Sequence, residues 1–344
     1  MLDSRQKAQG LGRAAVVITS AVAIWPASAS AHVKWFAPYN VPSQPRVLSQ
    51  LFDLLFWQPI TLAILVLLLT CYAERGSFGV AVLRTLDRIG RPMRARIDDL
   101  YRAGTGGFFV ALATLGHVIL TPELKTDVPQ IPWLQLLIAI GMFWRGTMVF
   151  SALGIAGLYA YGIVEYGIFH LLDYPIFLGL AAYLALSGLN AKLFGLRPLD
   201  VSRWAAGITL IWASVEKWAY PQWTYPVLES HPSLAMGFYA NYYMNAAGVV
   251  EFGLAFGLLW TPLVRRLSAL VLISMFTSAI GPFGMIDAIG HSMIIVVLIG
   301  IFIDDEPNVA RPPLEAVLYF LGALVMVLAA YYGLHAAIFG TLIW

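Results

Sequence analysis

His170 and Asp173 stand three positions apart and Asp287 and His291 four apart, spacings that put an imidazole and a carboxylate on one helical face. Neutral imidazole with carboxylate is a usable ligand set for a divalent metal and also a workable proton relay. The same pairs suit a plainer role, capping and ordering the helix end on which each sits. Glu216, Lys217 and Glu251 make a second set. Glu216 and Lys217 close one hydrophobic run and Glu251 lies inside the next. An ionisable group inside a membrane is costly unless paired or protonated, so Lys217 turned inward would pair with Glu251 if the two depths allow it. That set then serves as a helix-locking ion pair, or as part of a proton path or polar ligand pocket.

Two further strings carry possible chemistry. His32-Val33-Lys34-Trp35-Phe36 would begin the mature chain if a leader were removed, and a free α-amine beside an imidazole chelates copper through two nitrogens. Without that, Lys34, Trp35 and Phe36 read as headgroup anchors. The loop running from Trp218 through Tyr220, Trp223 and Tyr225 reads as an interfacial aromatic belt, or as the wall of a pocket for a quinone head. No phosphate-binding loop, dinucleotide fingerprint, haem-attachment motif or nucleophile elbow is present, which argues against nucleotide-driven transport and covalent hydrolysis within the chain. Cys71 is the single cysteine, so thiol exchange within the chain is excluded.

The elements that must position these residues follow from composition. Hydrophobic residues make up 60% of the 344 positions and charged ones only 12%, whereas soluble domains run at about 45–50% apolar. The solvent is a bilayer. A formal charge of +2 gives no reason to expect nucleic acid as a partner. Residues 1–31 have the form of a secretion signal: Arg5, Lys7 and Arg13, an apolar run from Ala14 to Trp25, and Ala29-Ser30-Ala31 as a cleavage site.

Beyond it, apolar runs predict about ten membrane helices of about 20 residues, near 51–71, 105–121, 133–143, 147–164, 174–190, 204–220, 242–260, 266–283, 290–303 and 314–340. Lys and Arg concentrate in every second connection, most densely at Arg75, Arg84, Arg88, Arg91, Arg94, Arg96 and Arg102. The positive-inside rule makes those connections cytoplasmic. An inner-membrane protein with both mature termini in the periplasm is expected, with all six histidines on the periplasmic side.

An internal repeat organises the runs. Residues 102–191 and 203–303 each read as helix, polar Pro-rich loop, helix, basic turn, helix, His-bearing acidic turn, helix. Four spans per copy make the repeats parallel. The remaining divisions are 32–101, with a first span and a basic cytoplasmic linker, and a closing helix in 314–344. The fold class expected is thus an all-α polytopic bundle.

In the second copy, Glu216-Lys217 followed by Pro221, the segment Glu251-Phe252-Gly253-Leu254-Ala255-Phe256-Gly257-Leu258, and Arg265-Arg266 resemble a DoxX-like or DoxD-like four-helix module. The first copy departs from it, with His117 near the place of Lys217 and Gln135 at about that of Glu251. The resemblance implies association with a membrane redox system, with a quinone, a transition metal or a redox partner protein at a periplasm-facing site; it leaves open whether the chain is catalytic by itself. A carrier or chaperone for a small solute or a metal ion such as copper is the alternative. Cleavage after Ala31 is checked by intact mass. A mature protein retaining Met1 to Ala31 would leave His32 with no free amine and end the copper-chelate reading.

Overall fold

A computed structural model describes residues 33–305 and 311–344. His32 and the expected secretion signal lie outside the described residues. After a 3-10 turn at Val33–Trp35, the chain forms α1 (Leu48–Leu51), α2 (Leu54–Arg75), α3 (Ser77–Arg94), α4 (Ile97–Leu115), α5 (Ile131–Ile140), α6 (Met148–Tyr166) and α7 (Ile168–Leu171). It continues with α8 (Pro175–Gly188), α9 (Pro198–Ala219), α10 (Tyr225–Ser230), α11 (Ala240–Leu258), α12 (Pro262–Ile303) and α13 (Pro313–Phe339). Among the described residues only two isolated bridges, Val118 with Lys125 and Leu193 with Leu196, interrupt an all-α architecture.

Among the described residues four elements are long and apolar enough to cross a membrane: Leu54–Arg75, Arg145–Tyr166, Pro262–Ile303 and Pro313–Phe339. Their outer faces carry large apolar side chains such as Leu69, Phe150, Val164 and Met326, each at least 70% exposed. Such a surface is stable against lipid tails and unstable against water. The protein is therefore a helical membrane protein.

Side chains fix where the helices begin. Asp53 caps α2 by accepting a hydrogen bond from the Phe56 amide at 2.9 Å. Glu74, buried in the last turn of α2, performs the same service for a different helix. It accepts from the Leu263 amide at 2.8 Å and from the Thr261 hydroxyl, capping the start of α12. A carboxylate at a helix N-terminus satisfies donors that have no intrahelical partner and complements the helix dipole.

As a straight rod the 42 residues of α12 would reach about 63 Å. They do not, because Arg266 near the start donates to the Asp304 carbonyl just past the end at 2.7 Å. The element folds back at Gly284, whose φ of 73° and ψ of −151° lie in a region open essentially to glycine alone. Arms 262–283 and 285–303 are thus antiparallel neighbours. The basic linker expected between the first span and residue 102 is instead helical: α3 packs Gly90 against Ile303, and Arg94 donates to the Ile303 carbonyl at 2.7 Å.

The bundle has two chemically different ends. At one, Arg197 grips Asp200 and Asp304 at 2.8–3.1 Å, and Arg266 binds Asp87 at 2.7 Å. The other end, where α9 finishes, holds the carboxylate and histidine residues described below. Replacing Gly284→Ala forces an L-residue into the bend while leaving the surrounding space open. We expect a loss of about 1–3 kcal/mol in unfolding of the detergent-solubilised protein; unchanged stability would show that the bend does not depend on glycine.

Candidate functional site

Lys34 enters the interior of the helix bundle. Its side chain is 1% exposed, and its ammonium bridges Asp173 and Glu216, the latter at 2.5 Å. Asp173 lies in the turn between α7 and α8, and Glu216 in the last turn of α9. Lys217, the next residue on α9, faces another direction and ion-pairs with Glu251 of α11. The two adjacent charges of α9 thus hold two different elements, the N-terminal segment and α11.

A second group surrounds Asp173. His170 Nε2 lies 2.8 Å from Glu123 Oε1, and the Tyr174 hydroxyl donates to the same carboxylate oxygen. Glu123 arrives on the loop between α4 and α5, which is closed by Ile119 donating to the Leu124 carbonyl at 2.7 Å. Gln135 of α5 holds this loop from below, donating to the Val118 and Ile119 carbonyls at 2.7 and 3.0 Å. Tyr39 and Tyr166 each set an edge against the His170 ring, with centroids at 5.5 and 5.4 Å. One oxygen of Asp173, Oδ1, is buried without a hydrogen-bond partner.

Trp35, adjacent to Lys34, reaches the other His/carboxylate pair. Its ring lies 4.8 Å from the His291 ring, whose opposite neighbour, Phe276, is 4.6 Å away. Gly290 makes this seat possible, since a Cβ there would come within 2.1 Å of the indole. Asp287 is fully buried, with His291 Nδ1 3.1 Å from its carboxylate as an ion contact without hydrogen-bond geometry. Between these groups is a cavity of about 90 Å³, lined by Asp173, Glu216, Lys217, Glu251, Trp35 and His291 among others.

Burial alone would lower the pKa of Lys34, but the negative charges of Asp173, Glu216 and Glu123 outweigh it and hold the value above the ordinary lysine range. Lys34 therefore stays protonated at any working pH. For Asp173, burial raises the pKa more than Lys34 and His170 lower it, so its carboxylate holds a proton more readily than a solvated aspartate does. The physical cause is shared: three carboxylates crowd one ammonium in a medium that solvates neither well.

Several expectations change. Lys34, Trp35 and Phe36 are not headgroup anchors; Lys34 and Trp35 dock on the two His/carboxylate pairs, and Phe36 packs 4.9 Å from Phe283. Asp287 and His291 lie within the second arm of α12 rather than in a turn. His117 stays outside the cluster, its side chain 77% exposed and 3.9 Å from Asp127. His335 is satisfied structurally by Tyr220 at 2.8 Å, the Val41 carbonyl and Thr341. Glu123 is a site residue that the sequence reading passed over. Its available signal was an acid flanked by Thr121, Pro122 and Leu124 in a loop next to apolar runs.

Breaking a buried ion pair on one side leaves an uncompensated charge, which costs about 3–5 kcal/mol. Lys34→Met should lose stability on that scale in detergent unfolding, and adding Asp173→Asn with Glu216→Gln should recover much of it. A Lys34→Met protein as stable as the parent would mean that the N-terminal segment is not docked. No protein family, curated protein or solved structure matches the chain.

Proposed function

We propose that the chain is a polytopic inner-membrane carrier for a small cation, protons included, with its polar site toward the periplasm. The observation that carries this reading is the charge imbalance at the buried site. Among the described residues, Glu123, Asp173, Glu216, Glu251 and Asp287 face two lysines, Lys34 and Lys217, and two histidines, His170 and His291. Such an excess of carboxylates in a low-dielectric interior is stable only with bound protons or cations. The cavity's size agrees: 90 Å³ accommodates a few waters or an ion, and is smaller than the cavity of about 150 Å³ that admits benzene.

Topology follows the same reading. The order helix, loop, helix, turn, helix, turn, helix occurs in 97–188 and again in 198–303, counting the arms of α12 separately. It supports two parallel four-helix repeats within about ten spans. The arginine-rich end, with Arg94, Arg197 and Arg266, then lies in the cytoplasm. In a Cys71→Ser background, a cysteine at exposed Ser77 should be labelled only from the cytoplasm and one at exposed Ser233 only from the periplasm; the reverse pattern inverts the assignment.

In proteoliposomes, the protein should dissipate a preset proton gradient or admit Mn²⁺ well above empty vesicles, and Glu251→Gln or Asp173→Asn should slow this by about tenfold or more, as expected when an ion path loses a buried carboxylate. His170→Ala and His291→Ala should impair the same flux, the double variant no worse than either single one. Absence of both fluxes would overturn the carrier reading. Quinone co-purifying in stoichiometric amount would instead favour the redox-system reading that the DoxX-like resemblance implies. The feature favouring that second reading is the parallel stack of Tyr220 and Trp223, with centroids 4.0 Å apart, as a wall for a planar head.

A further inference from the structure

We infer that Glu123, His170 and Asp173 form a three-ligand site for a divalent transition metal, and that the Lys34 ammonium is its tethered competitor. The inference rests on the carrier reading and names the class of cation. One ligand atom from each of the three residues lies within 4.8 Å of the others, and all three residues are buried. Two carboxylate oxygens and one imidazole nitrogen suit Mn²⁺, Fe²⁺, Co²⁺ or Zn²⁺ rather than a soft thiolate-seeking ion. Metal–ligand bonds of about 2.0–2.2 Å require the donors to close by on the order of half an ångström, within the reach of side-chain rotation.

An independent observation marks Asp173 as the open ligand. Its Oδ2 holds Lys34, while Oδ1 is buried with no hydrogen-bond partner and the residue borders the cavity. Glu123 is oriented by the Tyr174 hydroxyl, the kind of outer contact that fixes a ligating carboxylate. Of the three ligands Asp173 borders the cavity, so water completing the coordination would enter on its side. Three protein ligands beside an open position is the pattern of a site that exchanges its metal or its ligand, whereas a purely structural site is closed.

Lys34 gives the site a built-in alternative state. A positive charge already bound to Asp173 and Glu216 opposes a second cation on the same carboxylate. Withdrawal of Lys34 would free Asp173 Oδ2, and because Trp35 is the next residue, it would also uncover His291. Metal entry and release of the N-terminal segment are thereby coupled through one carboxylate.

The test uses the full chain in detergent, stripped with a chelator and titrated with Co²⁺, whose visible absorption reports nitrogen and oxygen ligation. One Co²⁺ per chain is expected. His170→Ala and Asp173→Asn should each weaken affinity about tenfold or more, while Lys34→Met should tighten it about tenfold. Should Lys34→Met fail to fold, Lys34→Met with Glu216→Gln removes the competitor without leaving two unpaired carboxylates, and should bind more tightly than the parent. No Co²⁺ absorption in the parent or in either Lys34 variant overturns the site, as does parental affinity in His170→Ala. Loss of the metal site with proton flux intact leaves the carrier reading standing; loss of flux with Co²⁺ binding intact removes the carrier reading and leaves the site.

Discussion

A single buried ammonium, that of Lys34, ties together three parts of the chain that are distant in sequence. Burying it is unfavourable unless anionic groups replace its water. Asp173 and Glu216 do so, and the ammonium in turn offsets much of the cost of burying them. The N-terminal segment, the turn after α7 and the end of α9 are thus mutually dependent. Because Trp35 follows directly, the same docking seats an indole against His291 and Gly290 in the second arm of α12. Two consecutive residues therefore bind both His/carboxylate pairs and close the cavity between them.

This arrangement leaves the rest of the bundle with a division of labour. At the end remote from the cavity, arginines and aspartates balance one another and mainly satisfy helix ends and carbonyls, as Arg266 does for Asp304 and Arg197 for Asp200. Glu74 belongs with them as the cap of α12. At the cavity end the carboxylates outnumber the lysines among the described residues, and the remaining negative charge is met by histidines and the Tyr174 hydroxyl. Charge that is fully paired stabilises a fold; charge left in excess inside a membrane recruits a proton or a cation. That difference, more than the presence of ionisable groups as such, is why the proposed function is assigned to the cavity end.

The sequence by itself determined the class of protein and the placement of its helices. Hydropathy is a local property, and each expected apolar run overlaps an observed helix, including the two that meet at Gly284, although four elements alone among the described residues are long and apolar enough to cross a membrane. One of the two expected pairings was legible for the same reason: Asp287 and His291 face each other because four residues make about one turn, whereas His170 meets Glu123 and Asp173 meets Lys34. In the amphipathic α3 the arginines outweigh the apolar positions and give the segment the look of a linker, yet those positions suffice to pack it on α12. Only the tertiary structure decided which carboxylate meets which cation. Lys34 and Asp173 are 139 positions apart, and no spacing or period in a sequence relates residues at that distance. Lys34 read as an anchor and Glu123 as a loop residue because each is ordinary in its own neighbourhood. Their roles arise from the loss of water when distant segments pack together, and that loss belongs to the folded chain alone.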